Sequence, residues 1–340
     1  MIHKIYNAIC RRVITFVRKT QRPQDNIRTN SKWLLKRSLR FNASINTNSD
    51  IQKMQYTLLR ENHIIEKALS IKNTKKGFGV AKVTNLCKKL KEYDERYGQI
   101  DSSFLTYPLV TIKKYISHTK AASDVNIEDI EAIYNKLSAK YLISPAKVFG
   151  GVEMCTSENI INQAKGNFED LLYSRHSVRY FTAELPSDSI ISKALVLASR
   201  TPSACNRQGW KTHVYKGSAC HELLKWQGGA NGFEQDIHCA ILVTADLRAF
   251  LDYEVFQAYV DGGLYAMNLI NALHFLGLGT IPLSCGFNGK KLDELKHFNV
   301  PENEVPIVII GFGYYPNEFK VAISTRRAFE LTNKFEKNIQ

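Results

Sequence analysis

The chain has 340 residues, 44% of them hydrophobic and 11% aromatic, and carries 46 Lys and Arg against 32 Asp and Glu, a net charge of +14. Those totals suit a globular protein with a full core and exclude a collagen-like, disordered or disulfide-stapled chain. The longest apolar runs fall well short of the ~20 residues of a membrane span, and the seven cysteines are scattered without a C-x-x-C pair, so no span and a reducing cytoplasm are expected.

The charge is unevenly placed. Residues 1–150 carry 28 Lys and Arg against 12 Asp and Glu, whereas residues 151–340 carry 18 against 20. Such an excess can serve nucleic-acid binding, but aromatics interleaved with the basic residues are few, Lys32-Trp33 being the clearest case, and no recognition motif is visible. No nucleic-acid partner is expected. The nine histidines are dispersed and no Cys/His cluster has zinc spacing, so no metal site is expected either.

In residues 1–22, Ile2, Ile5, Tyr6, Ile9, Val13, Phe16 and Val17 recur at helical spacing, with Lys4, Arg11, Arg12, Arg18 and Lys19 mostly off that stripe. This basic amphipathic helix either packs on a core or a partner, or lies peripherally on an anionic membrane surface through residues 1–20. Its interrupted apolar run does not suit a secretory signal. Residues 24–31 read as a polar linker, 32–40 as a basic helical segment and 41–50 as polar again. Residues 51–97 read as two helices. Leu58, Leu59, Ile64, Ile65, Ala68 and Leu69 group in the first, Val83, Leu86, Leu90 and Tyr93 in the second. Between them Lys75-Lys76-Gly77-Phe78-Gly79 lacks the Lys-Ser/Thr ending of a phosphate-binding loop and reads as a connection. Residues 106–116 suit a short strand or helix, and 126–141 a helix capped by Asp124 or Asn126. Residues 23–150 thus form a basic, mostly helical module.

From Asn167 the pattern changes. Ser187 caps a helix through Ile190, Ile191, Ala194, Leu195 and Ala198, and residues 211–215 and 237–245 read as strands. A long helix spans 253–276 with Ala266, Leu269, Ile270 and Leu273 inward, and a buried strand at 305–310 is stopped by Gly311 and Gly313. The order predicts an α+β domain over residues 166–335, helices covering a mixed sheet.

Two segments carry recognisable chemistry. Arg175-His176-Ser177-Val178-Arg179 sets two guanidinium groups and a hydroxyl close together, the side chains that grip a phosphate. Thr201-Pro202-Ser203-Ala204-Cys205-Asn206-Arg207-Gln208-Gly209-Trp210 follows a helix end, where such a loop turns backbone and amide groups toward a polar ring. The succession Arg-x-Ser-x-Arg, helix, Pro-Ser-x-x-Asn-x-Gln-x-Trp resembles the opening of nitroreductase-family domains. Gly277-Leu278-Gly279-Thr280-Ile281-Pro282 is similar to a later segment of that family, residues 305–313 to its late strand, and Arg326-Arg327 to its C-terminal basic residue.

The resemblance implies a nitroreductase-like fold and a homodimeric, FMN-dependent oxidoreductase. NAD(P)H is the expected donor, and a small acceptor is reduced by two electrons in a ping-pong sequence through flavin N5, with no catalytic group from the protein. Carried over, it implies that Arg175, Ser177 and Arg326 or Arg327 hold the phosphate and ribityl end. His176 lies among these contacts as a packing or backbone-bonded residue. Arg179 would reach the pyrimidine side, where a cation favours the reduced ring. Pro202, Ser203, Ala204 and Asn206 would cover the flavin of the partner subunit, with Gln208 and Trp210 supporting the loop. Leu283, Ser284 and Cys285 would approach the N5 edge through backbone groups.

Some positions depart from the family pattern. Gly209 stands where a proline is common, Ser284 where some members carry a glutamate, and Ala328-Phe329 where Pro-Leu often follows the arginine, which leaves Arg326 and Arg327 both open. Cys205 and Cys285 read as inert small residues, and residues 228–233 as a mobile lid over the substrate face. In the helical half, His63 through Leu69 followed by Gly77-Phe78-Gly79 is similar to an extension on bacterial nitroreductase-like proteins associated with surface-polysaccharide genes. The alternative reading is therefore a redox-silent nitroreductase-like scaffold in a membrane-associated or surface-polysaccharide biosynthesis complex.

Overall fold

A computed structural model describes residues 24–25, 27–29, 31–32, 51–120, 125–142, 150–251, 254–287 and 289–336. The amphipathic stripe of residues 1–20, the polar run at 41–50 and Asp124 lie outside the described residues. Where the sequence suggests a linker, the described residues between 24 and 32 are helical; that stretch is polar but holds no Gly or Pro to break a helix. The chain divides into two compact units. One draws on Ile160–Arg175 and Phe181–Tyr315, the other on Asn46–Asn159, His176–Tyr180 and Pro316–Gln340.

The second unit is mainly helical: α1 (Ile51–Leu69), α2 (Val80–Tyr97), α3 (Thr106–Thr119) and α4 (Glu128–Tyr141). Leu58, Ile65, Val83, Leu86, Leu90, Leu109, Ile112 and Ile130 meet in one core, each burial contributing roughly 1.5–3 kcal/mol before entropy is subtracted. Residues 106–116 resolve as helix, pinned where the Tyr115 hydroxyl donates to the Phe78 carbonyl at 2.9 Å. Asn126 Oδ1 accepts the Glu128 amide at 3.0 Å, and acids at 128, 129 and 131 suit the positive end of α4. Two strands the sequence does not announce complete the unit. β1 (Val152–Thr156) pairs antiparallel with β6 (Glu318–Ala322), setting Met154 opposite Lys320.

The first unit is the α+β domain. After α5 (Ser157–Ala164), α6 (Phe168–Ser174) and α7 (Asp188–Ala198) come β2 (Trp210–Lys216), α8 (Gly217–Gln227), β3 (Cys239–Asp246), α9 (Gln257–Phe275), β4 (Leu278–Ser284) and β5 (Glu304–Tyr314). The strands order as β2-β3-β5-β4. Where the sequence suggests a mixed sheet, the described ladders are all antiparallel: β3 and β4 do run parallel, but β5 lies between them. Ser187 caps α7 by accepting the Ile190 amide. Leu269, Ile270 and Leu273 of α9 pack on Ile241, Val243 and Ile310 of the sheet, and every residue of β3 is buried. Pro282 is tolerated because β4 is an edge strand.

Gly311 and Gly313 continue β5 rather than stopping it. Their lack of a side chain serves close packing: a Cβ on Gly313 would lie 2.8 Å from Phe181 Cβ, and one on Gly311 3.0 Å from both Ile237 and Ile281. Gly313→Ala is expected to lower stability by about 1–3 kcal/mol in urea titration. An unchanged midpoint would mean that Phe181 moves aside freely.

Candidate functional site

In the first unit, the approach to Arg175 is fixed from both ends of α6. Asn167 and Asp170 form a reciprocal capping box at its start. At its end the Ser174 hydroxyl lies 2.8 Å from Nε2 of the fully buried His274, whose Nδ1 lies 2.7 Å from the Tyr315 hydroxyl. One imidazole thus ties the last turn of α6 to α9 and to the residue after β5, and Arg175 leaves that turn in an extended conformation. His274 and Tyr315 were not legible as site-forming residues, since they lie about 100 positions from Ser174 or more.

The loop at 201–210 is held just as firmly. Asp261, 1% exposed, accepts the Ala204 amide at 3.1 Å and the Gln257 side chain at 2.8 Å. Arg207 makes a two-pronged pair with Glu254, both contacts 2.7 Å, and its Nε donates to the Ala204 carbonyl. Ser203 Oγ accepts the Gln208 amide at 2.9 Å, and the Gln208 side chain donates to Asn206. Trp210 stacks on Tyr265 with centroids 4.8 Å apart. Cys205, Asn206 and Gln208 all have left-handed backbones, with φ of 50°, 54° and 50°. Asp261 and Glu254 were missed because nothing in their own neighbourhood marks them.

At the end of β4, Leu283 and Cys285 are buried and Ser284 is exposed. The Ser284 carbonyl accepts Gln227 Nε2 at 2.9 Å. Burial pushes the Cys285 thiol up to about 12, in keeping with an inert residue. The segment read as a mobile lid is anchored: Gly228 ends α8, Gln227 Oε1 accepts the Gly229 amide, and Ala230 and Phe233 are buried.

The second unit holds the remaining expected site residues. Arg179 is 2% exposed; its Nη1 donates to Ser70 Oγ at 2.8 Å and reaches the Ser177 carbonyl at 3.4 Å, while its buried Nε has no hydrogen-bond partner. Burial lowers its pKa to about 10, an effect the Glu66 carboxylate opposes. Arg327 donates to Gln55 Oε1 at 3.2 Å, and Gln55 in turn donates to the Tyr93 hydroxyl and to Asp101. Arg326 is exposed and bonds the carbonyl of Ser324, another left-handed residue at φ 50°. His176 faces Glu153 at 3.7 Å, and Cys155 joins these two in a group whose possible donor atoms lie within 4.8 Å of one another. Sequence spacing could not show that group, because β1 and residue 176 come together only in the fold. Burial, and then the Glu153 charge, push the Cys155 thiol up to about 11.

Residues 172–314 match the family model described as "Nitroreductase family". That part of the chain is a nitroreductase-family domain. The domain is 29% identical over 153 residues to a protein of Archaeoglobus fulgidus that carries the provisional name NADH dehydrogenase/NAD(P)H nitroreductase, covering 44% of this chain and 85% of the relative. Among solved structures, a nitroreductase-family protein from Streptococcus pneumoniae is 23% identical with a TM-score of 0.43, spanning 50% of this chain and 100% of its own. A provisionally named nitroreductase in complex with FMN, from Exiguobacterium sibiricum, is 17% identical with a TM-score of 0.43, spanning 50% and 98%. No described helix is long and apolar enough to cross a membrane.

The 201–210 loop of the nitroreductase-family domain carries a pH dependence. Arg207 first, and the Leu251 amide second, hold the Glu254 carboxyl below its ordinary range. A depressed carboxylate stabilises the fold above the ordinary glutamate value of roughly 4.3, and that contribution is lost as pH falls through the lower folded value. Acidification is therefore expected to expose the loop to an acid-active protease before the domain unfolds. Glu254→Gln should show the same nicking with a neutral protease at pH 7; equal resistance of wild type and variant would remove this anchor from the account.

Proposed function

We propose that the chain is an FMN-dependent oxidoreductase that works as a homodimer. The observation that carries this reading is where the backbone is strained. Of the five non-glycine residues with positive φ among the described residues, Cys205, Asn206, Gln208 and Ser324 lie in or beside two of the segments that the resemblance assigns to the cofactor; the fifth, Asn299, merely ends a 3-10 helix. Residues in such regions cost about 1–3 kcal/mol each, and strain of this kind clusters where a ligand is clamped. The unpartnered Nε of buried Arg179 is a second sign of a missing acceptor.

When bound, FMN supplies two-electron transfer from a nicotinamide donor to a small acceptor, each using the same face in turn. Arg175 and Ser177 provide a guanidinium and a hydroxyl for the phosphate. We assign the C-terminal cation to Arg326, because Arg327 is engaged with Gln55. The loop from Pro202 to Gln208 orients its backbone against the ring, rigidly, since Asp261 and Glu254 hold it. The names of the Archaeoglobus relative and the FMN-bound Exiguobacterium protein support donor and cofactor. Arg175→Ala is expected to strip the yellow colour and weaken FMN affinity about a hundredfold, while Lys75→Ala retains it. Full flavin in both variants would refute the phosphate assignment.

The dimer rests on α9. Tyr259, Val260, Leu264 and Met267 recur at helical spacing and are 42–51% exposed, an apolar stripe that a monomer would leave in water. A second copy of the same helix covers it by two-fold symmetry, which would also bring each loop near the partner's flavin. Leu264→Glu should convert the dimer to monomer in sedimentation velocity and release FMN. A wild-type protein that sediments as a monomer while holding FMN would refute the shared site.

One observation favours the alternative of a redox-silent scaffold: Arg327 is engaged by Gln55 of α1, and Arg179 by Ser70, the residue after α1. Colourless protein that neither takes up added FMN nor oxidises NADPH would decide for it.

A further inference from the structure

The second unit contains a cavity of about 490 Å³ that no part of the proposed flavin chemistry uses. One wall is a single stripe of α3, in which Val110, Lys113, Lys114, Ser117 and His118 recur at spacings of three, four, seven and eight residues. The facing wall is the β1–β6 pair, which contributes Lys320 and Val152 from the same sheet face. Leu69, the last residue of α1, closes the apolar part.

Three lysines and a histidine therefore border one concavity, and none of the described lining residues is acidic. Lys114 is anchored, its Nζ donating to the Val152 carbonyl at 2.5 Å. Lys113 and Lys320 have no carboxylate within ion-pair distance among the described residues. Like charges brought together in a recess repel one another, and the unfavourable energy is relieved when an anion enters. The volume falls within the range of small-molecule sites. Apolar Leu69, Val110 and Val152 beside the cations suit a ligand with a hydrocarbon portion next to its charge.

We infer that this cavity binds a phosphate monoester carrying a short apolar group, with Lys113, Lys114 and Lys320 around the phosphate. The same chemistry is offered by a soluble phosphoester and by a lipid headgroup. The site is distinct from the one assigned to the flavin phosphate, since none of the described lining residues is among those assigned to the cofactor.

The full-length wild-type protein is titrated with n-butyl phosphate, inorganic phosphate and n-butanol by calorimetry, and spun with vesicles of phosphatidic acid in phosphatidylcholine. Saturable binding of butyl phosphate, tighter than inorganic phosphate and absent for butanol, is expected. The double variant Lys113→Ala/Lys320→Ala should weaken it by about tenfold or more, whereas Lys136→Ala on α4 and Arg175→Ala should leave it unchanged. The Arg175 variant separates this site from the flavin phosphate, so failure of the flavin reading and failure of this one are distinguishable. Co-sedimentation with phosphatidic acid that the double variant loses, without saturation by butyl phosphate, would identify the lipid as the source. Folded wild-type protein that binds neither, or a double variant with normal circular dichroism and undiminished binding, would overturn the proposal.

Discussion

The second unit is organised around the charge of Arg179. A guanidinium taken out of water is destabilised by several kcal/mol unless neighbours compensate, and here the compensation comes from residues far apart in the chain. Ser70 accepts directly, and the Glu66 carboxylate, 2% exposed, supplies opposite charge. Glu66 also accepts the Gly151 amide at 3.0 Å and the Thr111 hydroxyl at 3.4 Å. One buried ion group thereby fixes α1, α3, the entry to β1 and the segment 176–180 against one another. Removing Glu66 would take away the opposite charge that offsets the burial of Arg179, and leaving a buried charge without such compensation is costly. The five-residue segment 176–180 of the family domain's own sequence is thus built into the helical unit.

The regular elements were legible because their signals are local. The Ser187 cap, the period of α2, the long inward face of α9 and the apolar run of β3 each lie within one window of sequence, and the structure forms them within a few residues of where the pattern ends. The first helix shows the limit of that reading. Grouped apolar residues pointed to Leu58, Ile65 and Leu69, which are buried, but also to Ile64, which is 41% exposed. It also buries polar residues: Gln55, Asn62 and Glu66 within the helix, and Ser70 just after it, are all at most 3% exposed. A hydrophobicity pattern reads such a stripe as a solvated face, because it has no means of seeing the arginines that meet it.

The site divides in the same way. Arg175 and the loop at 201–210 announced themselves by residue type and order, since a phosphate and a ring need particular side chains at short spacing. What holds them did not: His274 acts through Ser174, Asp261 through the Ala204 amide and Glu254 through Arg207. Each of these is a single polar residue in an otherwise ordinary helix or turn, given its role only by tertiary contact. The strain at Cys205, Asn206 and Gln208 was equally invisible, because none of these residues is a glycine that would mark a left-handed turn. That the loop keeps this geometry follows from the number of anchors around it, which is the usual condition for strain to persist.

The excess positive charge of the N-terminal half also takes on a specific form in the fold. Much of the available acid in the helices is already committed: Glu61 pairs with Lys89, Asp94 with Lys140, Glu92 with Arg96 and Glu131 with Lys120. Pairs at or near the surface contribute little each to stability, yet they occupy acids that would otherwise offset neighbouring cations. On α3 two consecutive lysines and His118 line one recess and meet Lys320 across it, which gathers positive charge at one place. Concave geometry adds to the effect, since low-dielectric walls concentrate the field of the groups that line them.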